Sequence, residues 1–260
     1  MPDLLESIKD GVATLTLNRP EALNALSMDI RNGMLSALDR YAEDPDVRCI
    51  VITGAGRAFS SGGDVKSMGE RADRGYEARA RGILFSGSIP MAMHKHPKVI
   101  IGMINGVAAG AGMSMALACD MRVGGKSARF MTAFLKIGLS GDWGGTWTLT
   151  RLVGTAKARE LFFLPDMVGA DEALQLGLVN KVVGDDELHA ATMEMAHRIA
   201  DMPQVAVAGI KRNLFAAETE SFATVLDMES YNQARCSQTE DHREAVAAFK
   251  EKRKPVFKGR

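Results

Sequence analysis

Two glycine-rich turns and one lone acid are the features of this chain whose residue types and spacing suggest chemistry. The first turn is Phe59-Ser60-Ser61-Gly62-Gly63-Asp64-Val65-Lys66, and the second is Asn105-Gly106-Val107-Ala108-Ala109-Gly110-Ala111-Gly112. Each precedes a helical pattern. The first N–H groups of a helix have no partner within it and sit at the positive end of its dipole, so two such ends converging on one point would make an oxyanion hole. Spacing alone only suggests this, since glycine-rich turns are common. The acid is Asp142, in Gly138-Leu139-Ser140-Gly141-Asp142-Trp143-Gly144-Gly145-Thr146-Trp147. Beside Trp143 and apolar walls its carboxyl pKa would rise, which suits a base that takes a proton and returns it elsewhere. The same residue also fits a plain cap on a helix beginning near Gly144.

Other motifs fail on inspection. Gly54-Ala55-Gly56-Arg57-Ala58-Phe59 begins like a dinucleotide fingerprint, but Phe59 stands where the third glycine is needed, and a loop follows where a helix must receive the pyrophosphate. Gly112-Met113-Ser114-Met115-Ala116 approaches a G-x-S-x-G elbow with alanine in the last place. The later histidines, His189, His197 and His242, fall in amphipathic, exposed helical patterns, so a triad lacks its base. His94 and His96 flank Lys95 in a charged stretch and read as surface residues. No metal-binding spacing occurs.

The elements that must position the turns follow from composition and periodicity. The 260 residues are 46% hydrophobic and 25% charged, ordinary for a globular chain, and 32 basic side chains balance 32 acidic ones. No net field draws nucleic acid or an anionic membrane, so any anionic ligand must be met locally. Cys49, Cys119 and Cys236 form neither a disulfide framework nor a zinc pattern. With no signal-peptide pattern at the N-terminus, the expected location is the cytoplasm. The run VIIGMINGVAAGAGMSMALA over 99–118 has the length of a membrane span, about 20 residues. Asn105-Gly106 divides it into a strand, 99–104, and a small-residue helix from about Gly110, both suited to a buried core.

Alternation at 4–9 and 12–17 around Asp10-Gly11 predicts a hairpin. Apolar residues recurring from Ala22 to Leu38 predict a helix entered at Pro20, and 47–53 a strand. The interval 64–98 is charged and glycine-interrupted, the mark of a lid or variable wall. Helical patterns resume at Arg151, and three helices fill roughly 186–254. Strands and helices alternate before helices alone take over, an α/β chain with a helical C-terminal part.

At these residues the chain resembles the crotonase superfamily, the enoyl-CoA hydratase/isomerase family. The likeness runs through 18–26, through 59–66 against the family's F-x-A-G-A-D-I-K, through Asn105-Gly106 to Cys119-Asp120, and through Gly144-Gly145-Thr146 to the tail at 249–257. It implies a ββα spiral core over 1–195, and a helical part over 196–260 that drives assembly into a homotrimer or a dimer of trimers. It implies an acyl-CoA thioester as the partner, with coenzyme A part of the substrate and no separate cofactor or metal. The N–H groups of Gly63 and Ala111 would hold the thioester oxygen, with the Ala111 methyl a possible source of crowding. Ala22, Ser61, Gly63, Asp64, Val65, Lys66 and Ala111 would contact substrate or coenzyme A, and Lys252 and Phe257 would complete that pocket from a neighbouring subunit.

Hydratases of the family carry two glutamates where this chain has Ser114 and Phe134. Losing an acid–base group costs a factor of about 10²–10⁴. Asp142 instead matches an aspartate of dienoyl-CoA isomerases and of the ring-epoxide isomerases of phenylacetyl-CoA breakdown. The resemblance therefore implies a double-bond isomerase with Asp142 as proton shuttle. The alternatives are a hydratase working without its glutamates and a catalytically silent coenzyme A binder.

Overall fold

In the computed structural model, which describes residues 1–64 and 75–260, the chain opens with the expected hairpin. Strands β1, Leu4–Lys9, and β2, Val12–Leu17, pair antiparallel around Asp10 and Gly11, both at positive φ. From β2 the sheet continues in parallel through β3, Cys49–Gly54, β5, Val99–Ile104, β7, Met121–Gly125, and β10, Lys181–Val183. All six residues of β3 and five of six in β5 are buried, which is why both read as unbroken apolar runs.

A second sheet is built from much shorter strands. Here β4, Ala58–Ser60, β6, Val107–Ala109, and β8, Arg129–Met131, run parallel, and β9, Val168–Gly169, closes the edge antiparallel to β8. After each long strand the chain crosses at once to a short one and then enters a helix. Thus β3–β4 leads towards α2, Tyr76–Lys95, β5–β6 leads to α3, Ala111–Ala118, and β7–β8 leads through a 3-10 turn, Phe134–Ile137, to α4, Gly145–Phe163. Each ββα unit adds one strand to both sheets, so the chain winds as the expected spiral.

The first helix departs from the periodicity. Pro20–Ala22 is a separate 3-10 turn, Leu23 and Asn24 sit in the left-handed region, and α1 spans Met28–Glu43, its first turn capped by Ser27 accepting from the Ile30 N–H at 3.1 Å. The apolar spacing of Ala22, Leu23 and Leu26 continues across this break, where Leu26 is buried and the other two are half-buried.

Four helices, one more than expected, follow the short α5, Ala170–Gln175: α6, Leu188–Ala200, α7, Gln204–Ala217, α8, Phe222–Ser237, and α9, Glu240–Glu251. Residue 195 lies within α6, whose Leu188, Ala196 and Ala200 pack on Val12, Cys49, Val51, Ile101 and Val123 of the large sheet. An ion pair fastens α7. Lys211 Nζ lies 2.7 Å from Asp120 Oδ2 and donates to the carbonyls of Met93 and Lys98. By contrast α8 buries no residue, and Phe222 and Tyr231 are each 79% exposed. Among the described residues no helix is long and apolar enough to cross a membrane.

Candidate active site

Asn24 and Asn105 both anchor the loop that leads into the first glycine-rich turn. Asn24, fully buried, accepts from the Arg19 N–H at 2.9 Å and donates to the carbonyls of Ala55 and Ala58 at 2.9 and 2.7 Å. Asn105 donates to the carbonyls of Gly54 and Gly56, both at 2.8 Å. Asn105 thereby ties the second turn to the lead-in of the first, and Asn24 ties that lead-in to the segment before α1, so the two turns adjoin. Where they meet, a Cβ on Gly62 would stand 2.6 Å from the Ala109 carbonyl oxygen and 3.0 Å from the Ala111 nitrogen, and Gly62 also has φ +92°. Only glycine fits there.

Gly63, the next residue, bridges to Leu26, whose N–H donates to Gly62 O at 2.8 Å. Ala111 is the first residue of α3, so its N–H has no partner within the helix. Among the described residues no backbone acceptor meets either the Gly63 or the Ala111 N–H. The Ala111 methyl group packs into the main hydrophobic cluster, with the residue only 3% exposed, so it is directed away from solvent.

Of the remaining expected contact residues, Ala22, Ser61 and Asp64 border the first turn. Ser61 donates through N to Leu23 O at 2.8 Å and through its hydroxyl to Ala22 O at 3.3 Å, which places Ala22 and Ser61 side by side. Asp64 is 2.9 Å from Arg19 Nη1, so its charge is engaged by a cation of the preceding loop. Val65 and Lys66 lie outside the described residues.

One turn along α3, Ser114 is buried and donates to Gly110 O at 3.3 Å. A Cβ on Gly145 would fall 2.3 Å from the Ser114 hydroxyl oxygen, so the start of α4 presses directly on α3. Phe134 is 6% exposed, its ring 3.8 Å from where a Cβ on Gly110 would stand. Between Ser114, Phe134, Gly145, Leu149 and Phe162 remains a cavity of only about 10 Å³. That is at the lower limit for a single water, and Ser114 and Thr132 bring the only side-chain hydroxyls among the described residues that line it.

The turn into α4 carries the acid. Gly141, Trp143 and Gly144 all have positive φ, and Trp143, at +54°, is a bulky residue in a conformation that costs of order 1–3 kcal/mol. The surroundings hold it there: Trp143 is 3% exposed in the core, with the Arg31 guanidinium 6.0 Å from its ring centroid. The first helical turn of α4 is closed by backbone, Gly145 N–H donating to Asp142 O at 3.1 Å, and the helix has no side-chain cap. The capping role open to Asp142 in the sequence is therefore absent. Its Oδ1 is buried without a hydrogen-bond partner among the described residues. Burial pushes the carboxyl pKa up, and the Arg31 cation opposes that shift.

Sequence reasoning overlooked Arg31. It is 9% exposed on the buried face of α1, beside Ile30 and Met34, and donates to Ser86 Oγ of α2 at 2.7 Å. A charge inside an otherwise apolar helical stripe was the signal that could have found it. The expectation for His96 was also wrong. It is 5% exposed, with Nε2 2.9 Å from Leu38 O, because the helix ends there and drops the ring beneath α1. Half-buried His94 stacks on Phe215 at 5.3 Å between centroids.

Two N–H groups free of backbone acceptors on adjoining turns can hold an oxygen that gains negative charge, and a carboxylate of raised pKa can take a proton from carbon. The sequence profile of the enoyl-CoA hydratase/isomerase family matches residues 7–260. The chain is 37% identical over 265 residues to the 1,2-epoxyphenylacetyl-CoA isomerase of Escherichia coli (strain K12), covering 100% of both. It is 38% identical over 248 residues to the short-chain-enoyl-CoA hydratase of Clostridium acetobutylicum, covering 95% of this chain and 94% of that one. The crystal structure of an enoyl-CoA hydratase from Bacillus anthracis superposes with a TM-score of 0.94 at 31% identity, covering 99% of this chain and 100% of the other.

Proposed function

The chain belongs to the enoyl-CoA hydratase/isomerase family, and on that premise we propose that it is an acyl-CoA double-bond isomerase with Asp142 as its base. The thioester carbonyl oxygen accepts from the Gly63 and Ala111 N–H groups. Asp142 takes a proton from the carbon next to that carbonyl, the C–H electron pair moves towards the oxygen, and the hole holds the resulting enolate. The proton then returns at the far end of the conjugated system. One acid suffices for the whole cycle, and neither water nor a second carboxylate is consumed.

The observation that carries this reading is the buried, unpartnered Oδ1 of Asp142. Ordinary structural carboxylates are hydrogen-bonded when buried, and one that is not has its acceptor capacity free for a ligand. The closure around Ser114 and Phe134 argues against the family's two-glutamate hydration, because both acids and most of the room for an attacking water are missing. Ala22, Ser61, Asp64, Val65 and Lys66 would lie along coenzyme A, Asp64 through its backbone since Arg19 engages its carboxylate. The helical part after residue 195 would carry homotrimer contacts, an assignment supported by the bare apolar side chains of α8.

The test is to assay 3-enoyl-CoA isomerisation and 2-enoyl-CoA hydration with the wild type and Asp142→Asn. The proposal expects isomerisation by the wild type and its loss in the variant. Full activity of the variant in both assays would remove Asp142 from the mechanism. A wild type inert across acyl lengths yet binding coenzyme A would make the chain a silent binder, and hydration alone would restore the hydratase reading.

A further inference from the structure

The interior cation on α1 has work that neither the glycine turns nor the acid explains. Arg31 occupies a position of α1 flanked by the buried Ile30 and Met34, where an aliphatic side chain would pack without any cost of desolvation. Its guanidinium is tethered at one end: Nη1 donates to Ser86 Oγ at 2.7 Å, and that hydroxyl donates onward to Gly82 O at 3.1 Å. From that tether it lies 6.0 Å from the ring centroid of Trp143, the residue that follows Asp142. Among the described residues it is also the one charge that acts on the Asp142 carboxyl. Among the described residues of α2 and the 3-10 turn, the charged Glu77, Arg79, Arg81 and Lys136 are exposed. Ser114 and Phe134, facing the turn from α3 and from the 3-10 turn, are uncharged.

We propose that Arg31 is a positioning residue of this site, which holds the Asp142–Trp143 turn in place and keeps the neighbouring carboxylate available as a base. The inference rests on Asp142 being the base. Trp143 would swing out of the left-handed region if its indole were not held, and Asp142 would swing with it. The guanidinium also opposes the effect of burial on the carboxylate without forming a bond that would block Oδ1. A direct bidentate pair would stabilise the carboxylate more and leave it a poorer base.

The experiment compares Arg31→Met, Arg31→Lys and Ser86→Ala with the wild type, measuring kcat and KM for 3-enoyl-CoA isomerisation from acid to neutral pH. Loss of the cation moves the acid limb of kcat upward by about one pH unit and lowers kcat on that limb about tenfold, with KM little changed. Arg31→Lys restores most of the limb because it restores the charge, and Ser86→Ala shifts it the same way by less. Arg31→Met placed on Asp142→Asn changes the residual rate by less than about twofold, since the group it serves is gone. An unchanged acid limb in both Arg31→Met and Ser86→Ala, or an equal fall in rate with and without Asp142, overturns the proposal. Should Arg31→Met not fold, Arg31→Lys and Ser86→Ala decide it by the same limb. The Asp142→Asn single variant reports separately on the base itself, so a failure there is told apart from a failure of Arg31.

Discussion

Replacing Asp142 with asparagine should make the protein more stable while it abolishes the chemistry. The side chain keeps its shape, so packing against Trp143 and the start of α4 is preserved. What disappears is a charge whose Oδ1 is buried with no hydrogen-bond donor among the described residues, and which only the Arg31 cation among them offsets. The asparagine amide stays as short of partners as the carboxyl was, so what is relieved is the cost of holding a charge in a half-buried, largely apolar site, about 1 kcal/mol. For a chain of this size that is about 2–4 °C in Tm. The pH dependence carries the sign. The folded-state pKa lies above the ordinary carboxylate value of 3.8, so the native state holds the proton more tightly and wild-type stability falls as pH rises through that window. The advantage of the variant is therefore greatest above the raised pKa and fades towards and below the ordinary value, where the wild-type carboxyl is protonated in both states. Thermal unfolding of the two proteins in parallel across that range measures it. The isomerisation rate should meanwhile fall about 10²–10⁴-fold. A variant that melts below the wild type at neutral pH, or a difference that does not change with pH, would refute the reasoning by revealing a stabilising partner for the carboxylate.

Three further outcomes follow from the packing. Phe134→Glu, which restores one family acid, places a carboxylate in an apolar closure with a cavity of about 10 Å³. It should cost at least about 3 kcal/mol in a denaturant titration and yield no hydration of 2-enoyl-CoA. Gly62→Ala sets a methyl 2.6 Å from the Ala109 carbonyl oxygen at a φ of +92°. It should cost about 2 kcal/mol and separate the two turns enough to cut kcat/KM more than about tenfold, read by melting and by kinetics. Lys211→Met leaves Asp120 without its cation at a pair 2.7 Å long. It should cost about 3 kcal/mol in a thermal melt, and adding Asp120→Asn should recover part of the loss.

Much of this architecture was legible because its burial is so complete. Strands β3 and β5 lie under cover on both faces, so their apolar runs read as buried strands, β5 once Asn105-Gly106 had divided it from the helix, and the glycine-rich turns announced themselves by composition. Shorter elements did not. β4 and β6 have three residues each, too few for an alternation to register, although they carry the turns into place. The start of α1 was set too early because Leu23, half-buried, and Leu26, buried, lie in a non-helical segment whose apolar spacing imitates a helix. For Asp142, an acid shortly before a glycine pair suits a cap and a base equally, and only the left-handed Trp143 and Gly144 turn the carboxyl off the helix end. His96 looked exposed between charged neighbours, yet the break of α2 takes it under α1. Arg31 passed unnoticed since periodicity counts apolar positions and ignores a cation that shares their face.

The hydrogen bond from Leu26 to Gly62 offers a way to watch the site assemble. Leu26, Gly63 and Ala111 come from three segments far apart in sequence, so the paired donors do not exist in any locally folded fragment and appear only once all three segments have docked. Formation of the site is thus a late, non-local event, limited by chain closure and not by helix formation. The Leu26 amide, 1% exposed, can exchange with solvent only when that docking is undone. If a thioester is held by the Gly63 N–H as proposed, it binds only the docked form, and its presence should slow deuterium uptake at Leu26 more the tighter it binds. A single backbone amide would then record occupancy of a site in which its own side chain takes no part.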